Sequence, residues 1–187
     1  MGQLFLSNQW DAATAKLAAA AKNLHNAGAE ALVMCVNTGH KVADAVEKEA
    51  GIPLLHIIDF TGEAINSQGL KRVALLGTRP VMEEDFIISR LSRNYDVDVI
   101  VPDKPHRDAI HDVIFGDLGR GIVTEETKAL FLDVVNDAKD KGAEGVVLAC
   151  TELQFVIGPK DTDVPLFDTV ALHARGAAEW SLRDDKN

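Results

Sequence analysis

A stretch of thirteen residues occurs twice in this chain, and no other feature restricts its fold as strongly. Asn26–Thr38 reads NAGAEALVMCVNT, and Asp140–Glu152 reads DKGAEGVVLACTE. Gly28, Ala29, Glu30 and Val33 recur as Gly142, Ala143, Glu144 and Val147, 114 positions on. Further along, Ile52-Pro53-Leu54 resembles Val164-Pro165-Leu166. A glycine-led joint between helix and strand is common, so two generic units would also give the first match. The shared order of the later elements favours a duplication.

The duplicated stretch sits in an alternating layout. Leu17, Ala20, Ala21 and Leu24 recur at helical spacing within Asp11–Ala27, and Gly28 follows as a stop signal. Ala31–Val36 is a short continuous apolar run, as a buried parallel strand requires. A second helix runs to Ala50, and Ile52–Ile58 reads as the next strand. Further strands are expected at 72–76, 96–101 and 145–149, with a short one at 165–167. Helices are expected after Pro80, over 107–115 and 125–141, and over 170–182. The fold class is therefore α/β, with mostly parallel sheets flanked by helices. The strands at 72–76 and 96–101 precede the second copy, and their counterparts would fall before residue 1. The first copy is thus expected to lack its opening strand–helix–strand, roughly 45 residues.

Chemistry is expected where strands end, because open α/β sheets bind ligands outside their carboxyl edges. Cys150 stands just past a buried strand, followed by Thr151. A helix starting there would favour the thiolate, fit to abstract a proton or act as a nucleophile. A buried structural cysteine fits the position equally. Asn37 and Thr38 end the equivalent strand of the first copy, and Thr78 follows Gly77 at another strand end. Their side chains and free N–H groups suit a carboxylate, or serve simply as helix caps. His173 follows Asp168-Thr169 and either approaches the Cys150 loop or begins the last helix. The repeat aligns Cys150 with Val36, not with Cys35. Side chains alternate along a strand, so Cys35 points to the opposite face unless a bulge re-aims it.

Composition narrows the partners. The chain carries 29 acidic and 19 basic side chains, a formal charge of −10, so nucleic acid is not an expected ligand. No apolar run reaches the ~18–20 residues of a membrane span. The opening MGQLFLSNQW has no basic segment of a secretory signal, so a cytoplasmic location is expected. Two cysteines in such a chain are expected to be reduced. The six histidines show no metal-ligand spacing, and no phosphate-binding glycine motif is present.

Four motifs together resemble the aspartate/glutamate racemase family, in its aspartate or broad-substrate amino-acid racemase branch. They are Cys35–Lys41 (CVNTGHK), Leu75–Thr78 (LLGT), Ala149–Leu153 (ACTEL) and Asp168–His173 (DTVALH). The resemblance implies two pseudosymmetric lobes, with residues 1–65 plus 166–187 as an incomplete first lobe and 66–165 as the second. It implies racemisation of a small amino acid without pyridoxal phosphate, other cofactor or metal. By motif, Cys150 is the second-lobe acid/base, and Asn37, Thr38, Thr78 and Thr151 are carboxylate ligands. Cys35, His173 and Arg120 are further candidates, Arg120 standing where the acidic-substrate branch tends to have lysine. The first-lobe acid/base is expected immediately before Asn37, where this chain has Val36. A one-cysteine decarboxylase or isomerase, or a degenerate non-catalytic chain, are the alternatives that Val36 raises. A homodimer would cover sheet edges left by absent strands.

Overall fold

Arg72–Gly77, RVALLG, is buried at every position after Arg72, and Gly145–Ala149, GVVLA, is buried throughout. Strands covered on both faces belong inside a parallel sheet with helices on each side. A computed structural model describes residues 1–183 of the chain. It divides into two compact units, residues 1–57 and 58–187.

The first unit holds α1 (Gly2–Leu6), α2 (Trp10–Asn26), β1 (Leu32–Val33), a 3-10 turn (Thr38–Val42), α3 (Ala43–Ala50) and β2 (Leu54–Leu55). β1 and β2 pair in parallel, Leu32 opposite Leu54. Ala21, Leu32, Met34, Val46 and Leu54 form its core. The buried face of α2 carries Ala13, Ala18 and Ala21, while Ala20 and Leu24 are exposed. The expected apolar stripe is thus rotated: small alanines, not leucines, let α2 lie close on α3.

The second unit opens with α4 (Ile57–Ser67), which begins at the boundary. It continues as β3 (Arg72–Gly77), α5 (Arg79–Glu83), α6 (Asp85–Tyr95), β4 (Asp98–Ile100), α7 (Lys104–Phe115), α8 (Glu125–Asp140), β5 (Gly145–Ala149), β6 (Leu166–Asp168) and α9 (Thr169–Ser181). The sheet order is β4-β3-β5-β6, all parallel. Its core joins Leu76, Ile110, Phe131, Val146 and Leu148, each essentially inaccessible.

The expected strand over 52–58 is corrected. Only Leu54–Leu55 pair, and α4 takes over at Ile57. Ile57, Ile58, Thr61 and Ile65 are all buried, a helical period that begins inside the apolar run. The anticipated lobe boundaries also differ from this division. Residues 166–168 add to the free edge of β5 as β6, within the second unit. Residues 184–187 of the anticipated first lobe lie outside the described residues.

Each unit repeats the other internally. Leu32 pairs with Leu54 as Val146 pairs with Leu166, and Val33 with Leu55 as Val147 with Phe167. Gly28 and Gly142 both take a left-handed backbone, φ +94° and +90°, which only glycine adopts cheaply. A 3-10 turn follows the first strand of each pair, and a helix follows the second.

α9 is anchored by Asp168, whose carboxylate accepts from the N–H groups of Val170 and Ala171 at 2.9 and 3.3 Å. Removing this cap in Asp168→Ala is expected to cost about 1 kcal/mol, read from denaturant unfolding. No helix among the described residues is long and apolar enough to cross a membrane.

Candidate active site

The connections from β3 run first to β4 on one side and then to β5 on the other. The carboxyl ends of β3 and β5 therefore flank the point where winding reverses, the place ligands enter such sheets. Gly77 and Ala149 are the last paired residues of the two strands, so Thr78 and Cys150 leave the sheet side by side. The approach is close. A Cβ on Gly77 would sit 2.9 Å from the Ala149 carbonyl oxygen and 2.7 Å from Val81 Cγ1.

Cys150 is partly exposed, and its Sγ donates to Glu152 Oε2 at 3.0 Å. Thr151 Oγ1 donates to the same oxygen at 2.6 Å. A short 3-10 turn, Leu153–Phe155, follows rather than an α-helix, tied back by Leu153 N–H to the Cys150 carbonyl at 3.2 Å. The expectation of a helix dipole favouring the thiolate is thereby overturned. Burial first, then the Glu152 hydrogen bond and charge, push the Cys150 thiol up to about 12. The N–H groups of Glu152 and Thr151 pull the other way and are outweighed. At neutral pH this group is a thiol.

The other candidates are placed as follows. Thr78 is buried at the start of α5 and makes no capping bond to it. The Thr151 hydroxyl hydrogen is engaged by Glu152. His173 is buried on α9 against Phe60, their rings 5.8 Å apart. Thr169, one turn earlier, ties α9 to β5 through the Leu148 carbonyl at 3.0 Å. Arg120 is exposed in a 3-10 turn and paired with Asp117, an ion pair of little energetic weight.

Asn37 and Thr38 belong to the first unit. Asn37 is buried, in αR conformation, and its side chain does not cap the turn that follows, so the capping role weighed for it is not realised. Cys35 is exposed, whereas Val36 lies against the first unit's core. His40 fixes this loop. Its Nε2 accepts from Ile57 N–H at 3.3 Å, so Nδ1 carries the proton and donates to the Val36 carbonyl at 2.9 Å. Neither His40 nor Glu152 was assigned a role from sequence. Glu152 lies in the Cys-Thr-Glu motif itself, two residues from the thiol, and that spacing was the available signal. Among the described residues no group of three or more His, Cys, Asp or Glu side chains is arranged to hold a metal ion.

A thiol and two threonines at the switch point of a doubly wound parallel sheet define an α/β protein with its chemistry at the strand ends. The model of the Asp/Glu/hydantoin racemase family matches residues 6–177, and the chain belongs to that family. It is similar to a candidate Asp/Glu racemase of Yersinia pestis, with 40% identity and TM-score 0.92, over 97% of this chain and 79% of that one. PH1733 of Pyrococcus horikoshii OT3, an aspartate racemase homologue, matches with 33% identity and TM-score 0.85, over 97% and 80% of the two chains. The broad specificity amino-acid racemase RacX of Bacillus subtilis (strain 168) is 23% identical over 162 residues, 87% of this chain and 69% of its own length.

Proposed function

We propose that the chain transfers a proton at the α-carbon of a small amino-acid carboxylate, with Cys150 as the acid/base group and no cofactor. One observation carries the reading: the Cys150 thiol leaves β5 beside Thr78 at the switch point of the sheet. The racemases among its relatives support the reaction class. Thr78 and Thr151 are the proposed carboxylate ligands on the second unit. An α-proton is weakly acidic, so donors fixed around the developing carbanion lower the barrier most.

The test is incubation with single enantiomers of aspartate and glutamate in deuterated water. Racemisation with α-deuterium incorporation is expected. Neither optical change nor deuterium uptake with these or other proteinogenic amino acids would overturn the reading.

Val36 favours a second reading, proton exchange or decarboxylation on one face only. It occupies the position that Cys150 holds in the repeat, and a valine transfers no proton. That reading predicts α-deuterium uptake with retained configuration. Val36→Cys is then expected to raise the ratio of racemisation to exchange by about tenfold or more, read by chiral chromatography. A cytoplasmic location and a homodimer complete the proposal, the latter checked by light scattering.

A further inference from the structure

We propose that His111 is a positioning residue for Thr78, its Nδ1 holding the N–H of Arg79 so that the turn out of β3 keeps one shape. The inference rests on the reading of Thr78 as a carboxylate ligand and extends it to a residue on α7.

Three observations carry it. The Arg79 N–H, the first of α5, donates to His111 Nδ1 at 3.1 Å. Thr78 stands at the N-cap of α5, where a threonine ordinarily accepts a helix N–H, and makes no such bond. Pro80, the next residue of α5, has no N–H to offer it. The start of α5 is thus held by another helix and not by its own cap. α7 also grips Arg79 a second time, through Asp108 Oδ1 at 3.2 Å from Nη2. Asp108 and His111 are three positions apart and share one face of α7. Arg107 Nε donates to Glu83 at 2.9 Å, so both ends of α5 are tied to α7. The Arg79–Asp108 pair is solvent-exposed and carries little energy, which leaves the backbone bond to His111 to fix the turn.

The position requires an acceptor. Nδ1 accepts only while it bears no proton, so His111 is neutral with its hydrogen on Nε2. Its surroundings keep it so. Burial first, then the Arg79 charge, hold it below the ordinary histidine value of 6.5, against the upward pull of Asp112, Asp108 and Glu83. These charged groups lie on α5 and α7, and Phe115 rests against the ring with centroids 4.8 Å apart. At neutral pH the bond to Arg79 is therefore made. As pH falls through the lowered value, the imidazolium presents two donors and the bond is lost. The turn that carries Thr78 is then released. Thr78 meets a carboxylate that is present before and during proton transfer alike. Its displacement therefore raises KM more than it lowers kcat. His111 acts through the Arg79 backbone and touches no reacting atom.

The experiment follows α-deuterium uptake by the full chain against substrate concentration and pH. His111→Leu is expected to raise KM about tenfold at neutral pH, with a smaller change in kcat. His111→Asn sets an amide oxygen near the place of Nδ1 and does not titrate, and it is expected to recover most of that loss. In the parent, KM is expected to rise as pH falls below about 6.5, and in His111→Asn that rise is expected to disappear. A residue that merely packs α7 would not make KM follow pH in this way. Nitrogen NMR of the ring, recorded without substrate, is expected to show Nδ1 bare and Nε2 protonated at neutral pH. A proton on Nδ1 there, a KM unmoved by His111→Leu, or an acid rise in KM shared by His111→Asn would overturn the proposal. The nitrogen spectrum decides the hydrogen bond whatever the chain acts on. Failure of the underlying reading shows instead as a KM unmoved by Thr78→Val while the spectrum is as expected.

Discussion

Cys150→Ala is expected to lower α-proton exchange by about 10²–10⁴-fold, the usual contribution of a placed acid/base group. The structure gives the reason for expecting the upper part of that range. On the proposed reading, the thiol is the group at the β3–β5 boundary that takes and returns the α-proton. Thr78 and Thr151 offer hydroxyls, far too weakly acidic to replace a thiol. Cys150→Ser separates the roles further, since it keeps a hydrogen-bond donor to Glu152 but not the acidity. It should bind substrate with little change in KM while kcat falls. Rates are read from α-deuterium uptake in single-turnover and steady-state conditions. Exchange in Cys150→Ala within a few-fold of the parent would remove this cysteine from the chemistry.

Gly77→Ala carries the next largest effect, about 1–3 kcal/mol of stability together with most of the activity. The added methyl meets the Ala149 backbone oxygen at 2.9 Å and Val81 Cγ1 at 2.7 Å. The valine can turn aside, but a backbone carbonyl in a sheet cannot move without its strand. β3 and β5 must therefore part at their carboxyl ends, and Thr78 and Cys150 are the next residues along each. The same substitution at Gly69 meets no neighbouring atom and costs only backbone strain, φ being +71° there. Comparing the two by thermal unfolding and exchange rate isolates the wedge. Equal activity losses in both would show that strand spacing does not set the site.

The repeat made much of this architecture legible. It carried the parallel pairings, the two left-handed glycines and the alignment of Val36 with Cys150. It also held information that local reading passed over. The repeat implies a helix after β2 as after β6, yet Ile57 and Ile58 extend an apolar run without a break and so read locally as strand. Hydrophobicity alone does not tell a buried strand from the buried start of a helix. The location of Cys150 was legible because strand ends place side chains. Its protonation state was not, because that depends on which way one glutamate turns. A carboxylate two residues along a loop can face solvent, cap the turn or return to the thiol. Only the folded loop selects among these.

The contrast between the two cysteines has a practical side. Cys35 is open to solvent, while Cys150 is only partly exposed and held in its less reactive protonated form. A thiol-specific dye in native buffer should therefore mark Cys35 first, and Cys150 should respond more slowly, as the strand end of β5 opens. The number of dyes per molecule becomes a meter of local opening, and the rate of the second labelling step reports its free energy. The chain thus carries a built-in gauge of the breathing of its own candidate active site, installed by a one-residue offset between the cysteines of its two repeats.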